Sequence, residues 1–308
     1  MIRPVLGPTV TSVGTPRTVC VIVHFGDASL TSRALQSIAA GTVRPTSVVV
    51  IDNGPDPLPP GLMPEDLNTA LITPGSNLGF AAGVTLAIEH SRDSEFEYAW
   101  LLNNDAVAEP GALQALLDSA QRLGGGAMVS SLILEDTGPT VWFEHARYLP
   151  WRLEGRHEAS PSTGRGALII DGAPSPWSVP YLPGCSLLIP FRLLESIGGL
   201  DPSFFLYGED IDLCIRAQRH GWKLAIDRSS LVRHRGSSGT DPATRERLMA
   251  STSLRLTARY YPWLVPVAIP GALITGLKRA VGRRRWWWLT SRVKGYVDVV
   301  TGRARAGP

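Results

Sequence analysis

"TVCVIVHFGDASLTSRALQSIAAGTVRPTSVVVIDN", Thr18 to Asn53, decides the fold. It opens with a compact β-branched run, continues as "SLTSRALQSIAAG", whose apolar residues recur at helical spacing and which ends in Gly41, and closes as a second strand, "SVVVIDN". The alternation goes on outside it. "ALIT" runs into the turn "PGSNLG" and the helix "FAAGVTLAIEHS", and "YAWLLNND" precedes a helix that starts at "EPGALQALLDSA". Strand-to-helix units in succession predict an α/β fold with a mostly parallel, doubly wound sheet flanked by helices. Ligands of such sheets lie at the C-terminal strand ends. Polar residues close each strand here: Asp27, then Asp52 and Asn53, then Asn77, then Asn103 and Asp105.

Composition agrees with an ordered chain. Of 308 residues 44% are hydrophobic, enough for one large domain with an appendage. Residues 1–16 are expected to be a flexible leader, because no apolar run follows the basic start. Residues 17–240 form the main domain and residues 241–308 a C-terminal helical extension. Cys20, Cys185 and Cys214 are odd in number and widely spaced, which fits neither a disulfide framework nor a zinc site and suits a reducing cytoplasm. The net charge is only +3, yet Lys278 to Arg305 holds nine Lys or Arg and one acid, Asp298. That asymmetry points to a local anionic partner. No nucleic-acid partner is expected.

Three patterns carry chemistry. Gly75, Gly79 and Gly83 invite a dinucleotide reading, but they are four apart and lie in the third unit, where the fingerprint needs G-x-G-x-x-G in the first. Close helix packing is the reading they support. "LLNNDA" sends an apolar strand into Asn103, Asn104 and Asp105, which serve equally as a turn or as oxygen ligands for magnesium or manganese, an ion that takes one or two protein carboxylates and leaves other positions to phosphate. "FFLYGEDIDLCIRAQRHGW", Phe204 to Trp222, puts Glu209, Asp210 and Asp212 at a helix start, where acids complement the macrodipole or do acid–base work. Ile211, Cys214 and Ile215 share that helix's buried face, Gly221 ends it, and "FFLY" is core or site wall.

The ordered set "VCVIVHF", "VVVIDNG", "NLGFAAG", "LLNNDA", "PGCSLLI", "GGLDPSFFLYGEDIDLCIRAQRHGW" and "VRHRGSSG" resembles the family 2 glycosyltransferases, and among them the bacterial rhamnosyltransferase-like branch. The resemblance covers Thr18 to Gly239 and implies the GT-A fold, with its Rossmann-like sheet. By it, Asp52 binds the base or ribose of a nucleoside-diphosphate sugar, Asp105 holds Mg2+ or Mn2+, and Asp210 is the catalytic base. Asn53, Asn77, Gly79, Asn103, Asn104 and His24 join the donor side, His234 is a further metal or phosphate ligand, and Gly184 and Cys185 lie near the acceptor. The sequence departs from the pattern at Asn103, where relatives carry Asp, and at "HFGD", where they carry an Asn-aromatic pair. Both His24 and His234 keep the alternative of a buried structural histidine.

An acceptor hydroxyl is a poor nucleophile and needs a carboxylate to take its proton. Asp210 fills that role, Glu209 orients the acceptor or supports Asp210, and Asp212 caps the helix. Crowded acids raise one another's pKa and improve the base. Together these imply an inverting, metal-dependent transferase moving a sugar, L-rhamnose from dTDP-rhamnose or a sugar from a UDP donor, to a cell-envelope glycan or lipid-linked acceptor. The competing readings are a non-catalytic nucleotide-sugar-binding scaffold, which would have lost the acids at 105 or 210, and a nicotinamide-dependent oxidoreductase, which would show the dinucleotide glycines.

"YYPWLVPVAIPGALITGL", Tyr260 to Leu277, is eighteen residues without charge and is followed by "KRAVGRRRWWW". The length approaches a membrane span, but Pro262, Pro266 and Pro270 each delete a helical hydrogen bond. An in-plane segment at the inner face of the plasma membrane is expected, with Arg283, Arg284 and Arg285 beside Trp286, Trp287 and Trp288 at the headgroups. A helical cover for the core or a homodimer contact is the alternative.

Overall fold

Seven successive buried residues make the first strand, β1 (Thr18–His24), because a central parallel strand is covered on both faces and has no polar side to show. It is followed by α1 (Ala28–Ala39), β2 (Ser47–Asp52), β3 (Thr69–Ile72), α2 (Phe80–Ser91), β4 (Tyr98–Leu102), β5 (Ala106–Ala108) and α3 (Ala112–Arg122). The chain continues through β6 (Ala127–Glu135), β7 (Val141–Phe143), β8 (His145–Leu149), β9 (Glu154–Glu158), β10 (Ala167–Ile169), β11 (Val179–Tyr181) and β12 (Ser186–Pro190). It ends with α4 (Phe191–Ile197), α5 (Glu209–Arg219), β13 (Lys223–His234), α6 (Pro242–Tyr260), α7 (Val265–Arg283) and α8 (Trp286–Val300). The structure, a computed structural model, describes residues 14–59, 61–158, 166–170, 172–236 and 240–303. Most of the expected leader, and Ser237 to Gly239 of "VRHRGSSG", lie outside the described residues.

The main sheet is mixed, in the order β10-β13-β6-β12-β4-β1-β2-β3, with β5 on β13 and β7 on β6. The half β4-β1-β2-β3 is parallel, and the β1–β2 register sets His24 opposite Asp52. The "PGCSLLI" strand, β12, runs antiparallel between β4 and β6. β13 runs parallel to β6 as far as His234, and its last three residues also pair antiparallel with β5, setting His234 opposite Ala106. A separate three-stranded antiparallel sheet has the order β11-β8-β9.

The glycines at 75, 79 and 83 do not share the helix-packing role that their spacing suggests. Only Gly83 lies inside α2, where a Cβ would come within 3.2 Å of Val23 on β1. Gly79 precedes the helix at φ +80, and a Cβ there would collide with the Phe205 backbone, whose carbonyl accepts from the Phe80 N–H at 2.7 Å. This turn needs glycine because one loop is pressed onto another.

The C-terminal extension is helical, but α6 belongs to two cores at once. Leu256 and Tyr260 join the main core, while Ala250 and Leu254 form a smaller one with Leu153, Ala268, Ala272 and Tyr296. Gly295 of α8 lies against the Arg247 carbonyl of α6, and the Arg247–Asp298 (2.6 Å) and Arg292–Glu246 (2.7 Å) pairs knit the two helices. The prolines interrupt less than their spacing predicts. Pro262 opens a short 3-10 turn and Pro266 sits in the first turn of α7, where no intrahelical N–H is needed, so only Pro270 lies inside the helix. Among the described residues, 262–282 is the one helix long and apolar enough to cross a membrane.

Candidate active site

β4 ends at Leu102, and the chain turns through Asn103, Asn104 and Asp105 before β5. The short β5–β13 pairing then does what no local signal announces: it brings His234 Nε2 to 2.9 Å from Asp105 Oδ1. The Arg235 N–H closes the corner on the Asp105 carbonyl at 3.2 Å, and Asn103 Nδ2 stands 3.4 Å from His234 Nε2. His234 Nδ1 is buried without a hydrogen-bond partner. Burial opposes a charged imidazole, but Cys185 and Asp105 outweigh it and push His234 up to about 10.

The acids come from the other side. Tyr207 (φ +69) and Gly208 (φ +83) both take left-handed backbone, and a Cβ at Gly208 would collide with Thr252 of α6. That tight turn starts α5 with Glu209 and Asp210 toward the cleft. Glu209 is 7% exposed and its Oε2 has no partner. Burial raises its carboxyl well above the ordinary range, and neighbouring Asp210 adds to the shift. Asp210 is raised too, by burial, although N–H groups of Ile211 and Gly184 offset part of it. Burial, more than mutual repulsion, therefore lifts this pair. Asp212 does not cap the helix as expected. It is fully buried, accepting from Arg216 Nε (2.7 Å), Tyr260 OH (2.5 Å) and Arg259 Nη1 (3.2 Å), so it clamps α5 to α6.

One cleft of about 780 Å3 gathers Asn53, Asn77, Gly79, Asn103, Asn104, Asp105, Gly184, Cys185, Glu209, Asp210 and His234. Asn53 is buried and donates to the Gly79 carbonyl (2.9 Å), while Asn77 accepts from the Gly79 N–H (2.9 Å). Asn104 donates to the Phe25 carbonyl and to Thr31, both at 3.3 Å. Asp52 and His24 lie behind this wall. Asp52 is buried and accepts from Gly54 N (3.1 Å) and Leu58 N (2.9 Å), shaping the loop after β2. His24 Nδ1 bonds Thr31 (2.7 Å), and burial lowers its pKa. Asp27 caps α1 through the Ser29 N–H at 2.9 Å.

Sequence reasoning missed the third wall. Trp142 meets His234 edge-on at 4.7 Å and His157 at 5.8 Å, and Phe143 packs on His157 at 4.5 Å and on Tyr181 at 6.1 Å; all line the cleft. The cluster of aromatics in "VWFEHARY" was its one available signal. The first residues of α6, Thr244, Arg245 and Met249 among them, complete the rim.

The description "Glycosyltransferase like family 2" matches residues 16–253. The chain belongs to glycosyltransferase family 2. It is 29% identical to an N-acetylglucosaminyl-diphospho-decaprenol L-rhamnosyltransferase of Mycobacterium tuberculosis, over 79% of this chain and 85% of that one. A galactofuranosyltransferase of the same organism is 25% identical over 62% of this chain and 60% of its own length. Two solved structures share the fold. GalNAc-T7 with UDP, GalNAc and Mn2+ matches with TM-score 0.58 at 15% identity, over 78% of this chain and 48% of that chain. A mannosyltransferase from Pyrobaculum calidifontis with GDP-Man and Mn2+ gives 0.54 at 14%, over 94% and 88%. Both are GT-A glycosyltransferases, and this glycosyltransferase has the same α/β plan.

Among the described residues of this glycosyltransferase, no three His, Cys, Asp or Glu side chains gather as a metal cage. Asp105 with His234, whose Nδ1 is unpartnered, fits an ion that completes its shell with phosphate oxygens and water. To ligate, His234 must first give up its proton.

Proposed function

We propose that this glycosyltransferase transfers a sugar with inversion, L-rhamnose from dTDP-rhamnose or a sugar from a UDP donor, to a cell-envelope glycan or lipid-linked acceptor. The observation that carries the reading is that the Asp105–His234 pair and the Glu209–Asp210 pair line the same cleft from opposite chain segments. The likeness to the decaprenol-linked rhamnosyltransferase supports the donor and acceptor classes.

On the donor side, Asn53, Asn77, Gly79, Asn103 and Asn104 form the floor under the nucleotide. Asp52 receives the base or ribose, since a carboxylate has lone pairs beyond the two amides it already accepts, and His24 backs it. Asp105 and His234 would hold Mg2+ or Mn2+, which when bound offsets charge on the leaving diphosphate. The acceptor hydroxyl enters beside Gly184 and Cys185. Asp210 takes its proton as the oxygen attacks the anomeric carbon, and the bond to the diphosphate breaks with its electron pair leaving on the nucleotide. Glu209, kept protonated by burial, donates to an acceptor oxygen and holds it in line. The enzyme works at the cytoplasmic face of the membrane as a peripheral protein, because α7 and α8 are apolar and basic outside.

The test is a panel of nucleoside-diphosphate sugars with manganese, with product anomeric configuration read by NMR on an N-acetylglucosaminyl-diphospho-lipid analogue. A retained configuration, or turnover undiminished in excess chelator, overturns the mechanism or the metal role respectively.

A further inference from the structure

A second cavity, of about 330 Å3, lies between the turn Trp151–Glu154 and helices α7 and α8, and shares no residue with the cleft. We infer that it seats the phosphate of an anionic membrane lipid while the bare face of α7 enters the acyl boundary, an inference that rests on the peripheral attachment proposed above.

Charge is the first argument. Arg152, Arg279 and Arg292 line the cavity. Glu154 meets Arg279 (2.9 Å) and Arg152 (3.3 Å), and Glu246 meets Arg292 (2.7 Å). Three guanidinium groups against two carboxylates leave one positive charge, which one phosphodiester neutralises. Arg292, 9% exposed and held by Glu246, is the fixed wall of the site, and the surplus charge is shared by Arg152 and Arg279 around the one carboxylate of Glu154. The forks are also held in place. Trp288 lies under Arg292 (4.4 Å) and Arg279 (5.6 Å), and Trp151 under Arg152 (5.2 Å). Trp288 thus serves the cavity, while Trp286 and Trp287 stay exposed.

The surroundings are the second argument. Val267, Ile274, Leu277 and Val281 fall on one exposed face of α7, next to the cavity-lining Val267, Gly271 and Thr275. That apolar face, with exposed Lys278 on the same helix and exposed Arg284, Arg285 and Lys294 on the chain that follows, complements an anionic bilayer in both apolarity and charge. The only acid after Glu246 is Asp298, and Arg247 already neutralises it.

Vesicle flotation of the full chain tests this, with phosphatidylcholine alone and with added phosphatidylglycerol. The parent should float only with phosphatidylglycerol. Arg152→Gln with Arg279→Gln should cut that binding about tenfold more than Lys278→Gln with Arg284→Gln, a pair of equal charge outside the cavity, because chelation is lost as well as attraction. Gly271→Leu alters no charge and adds apolar surface. A Cβ at Gly271 meets open space, so the longer side chain should plug the cavity and abolish the phosphatidylglycerol preference. Equal losses in the two double variants with Gly271→Leu unaffected would reassign binding to diffuse electrostatics. A parent that ignores both vesicles and forms dimers in light scattering would make the face a contact between copies. Thermal stabilisation by glycerol phosphate without vesicles would make the cavity a soluble-anion site. Transfer to a soluble acceptor analogue, measured on the same variants, separates each of these results from failure of the transferase reading.

Discussion

Asp210 and Asp212 are two residues apart on α5 and have opposite fates. Asp212 turns to the core and is fully buried among two arginines and a tyrosine, whereas Asp210 turns to the cleft beside a carboxylate whose Oε2 has no partner. The difference separates structure from chemistry within one helical turn. A carboxylate answered by arginines and a tyrosine hydroxyl holds the fold together, whereas one answered only by backbone N–H groups and opening on the cleft keeps lone pairs for a substrate.

The sharpest way to break the comparison is to exchange the consequences. Asp212→Ala leaves the largely buried Arg216 without a carboxylate, while Arg259 keeps Asp201, and should cost about 3 kcal/mol of stability, read as a lowered denaturation midpoint. Retained stability would mean that Asp212 is no clamp. Asp210→Asn should leave stability and donor binding in place and lower kcat at least about a hundredfold, the scale of a positioned general base. In the parent, kcat should rise with pH as Asp210 loses its proton, and burial places that limb above the ordinary aspartate range. Near-normal turnover of the variant would remove the base from Asp210.

Asp105→Ala reaches across the cleft. It should weaken manganese-dependent donor binding about tenfold while the bare nucleoside binds as before, since only the diphosphate reaches that corner. Calorimetry with both ligands decides. Glu209→Gln carries the smallest effect and the opposite sign. A carboxyl whose folded pKa is raised contributes stability that is fully present below its unfolded pKa and lost as pH rises through the folded one. The variant escapes that loss, so it should be more stable than the parent by about 1 kcal/mol above neutral pH and equal to it in acid. A gap that does not widen with pH would return Glu209 to an ordinary surface acid.

Much of this was legible. β1, β2 and β4 are continuous apolar runs, and their polar ends do turn to or behind the cleft. α5 was legible down to its stop, where Gly221 and Trp222 donate to Gln218 and Ala217 across the helix end. What escaped was non-local. β5 is three residues long, too short for a periodicity, yet its pairing with β13 is what joins Asp105 to His234. The Trp142 wall depends on β7 pairing with β6, and the role of Asp212 depends on residues that α6 delivers from far along the chain. Proline spacing misled for the same reason. A missing N–H matters only inside a helix, and where α7 begins is set by packing against α6 and α8.

α6 is a stiff rod fixed at one end, because Arg259 and Tyr260 fasten it to Asp212 while Thr244 and Arg245, near the other end, stand at the cleft rim. α8 is bolted to it between those points through Gly295 and Asp298. Sixteen residues separate Tyr260 from Thr244, a lever arm of about 24 Å at 1.5 Å per residue, so a tilt of about 5° displaces the rim by about 2 Å. Because α8 joins α6 between the pivot and the rim, a shift of α8 is carried to the mouth of the cleft enlarged in distance and reduced in force.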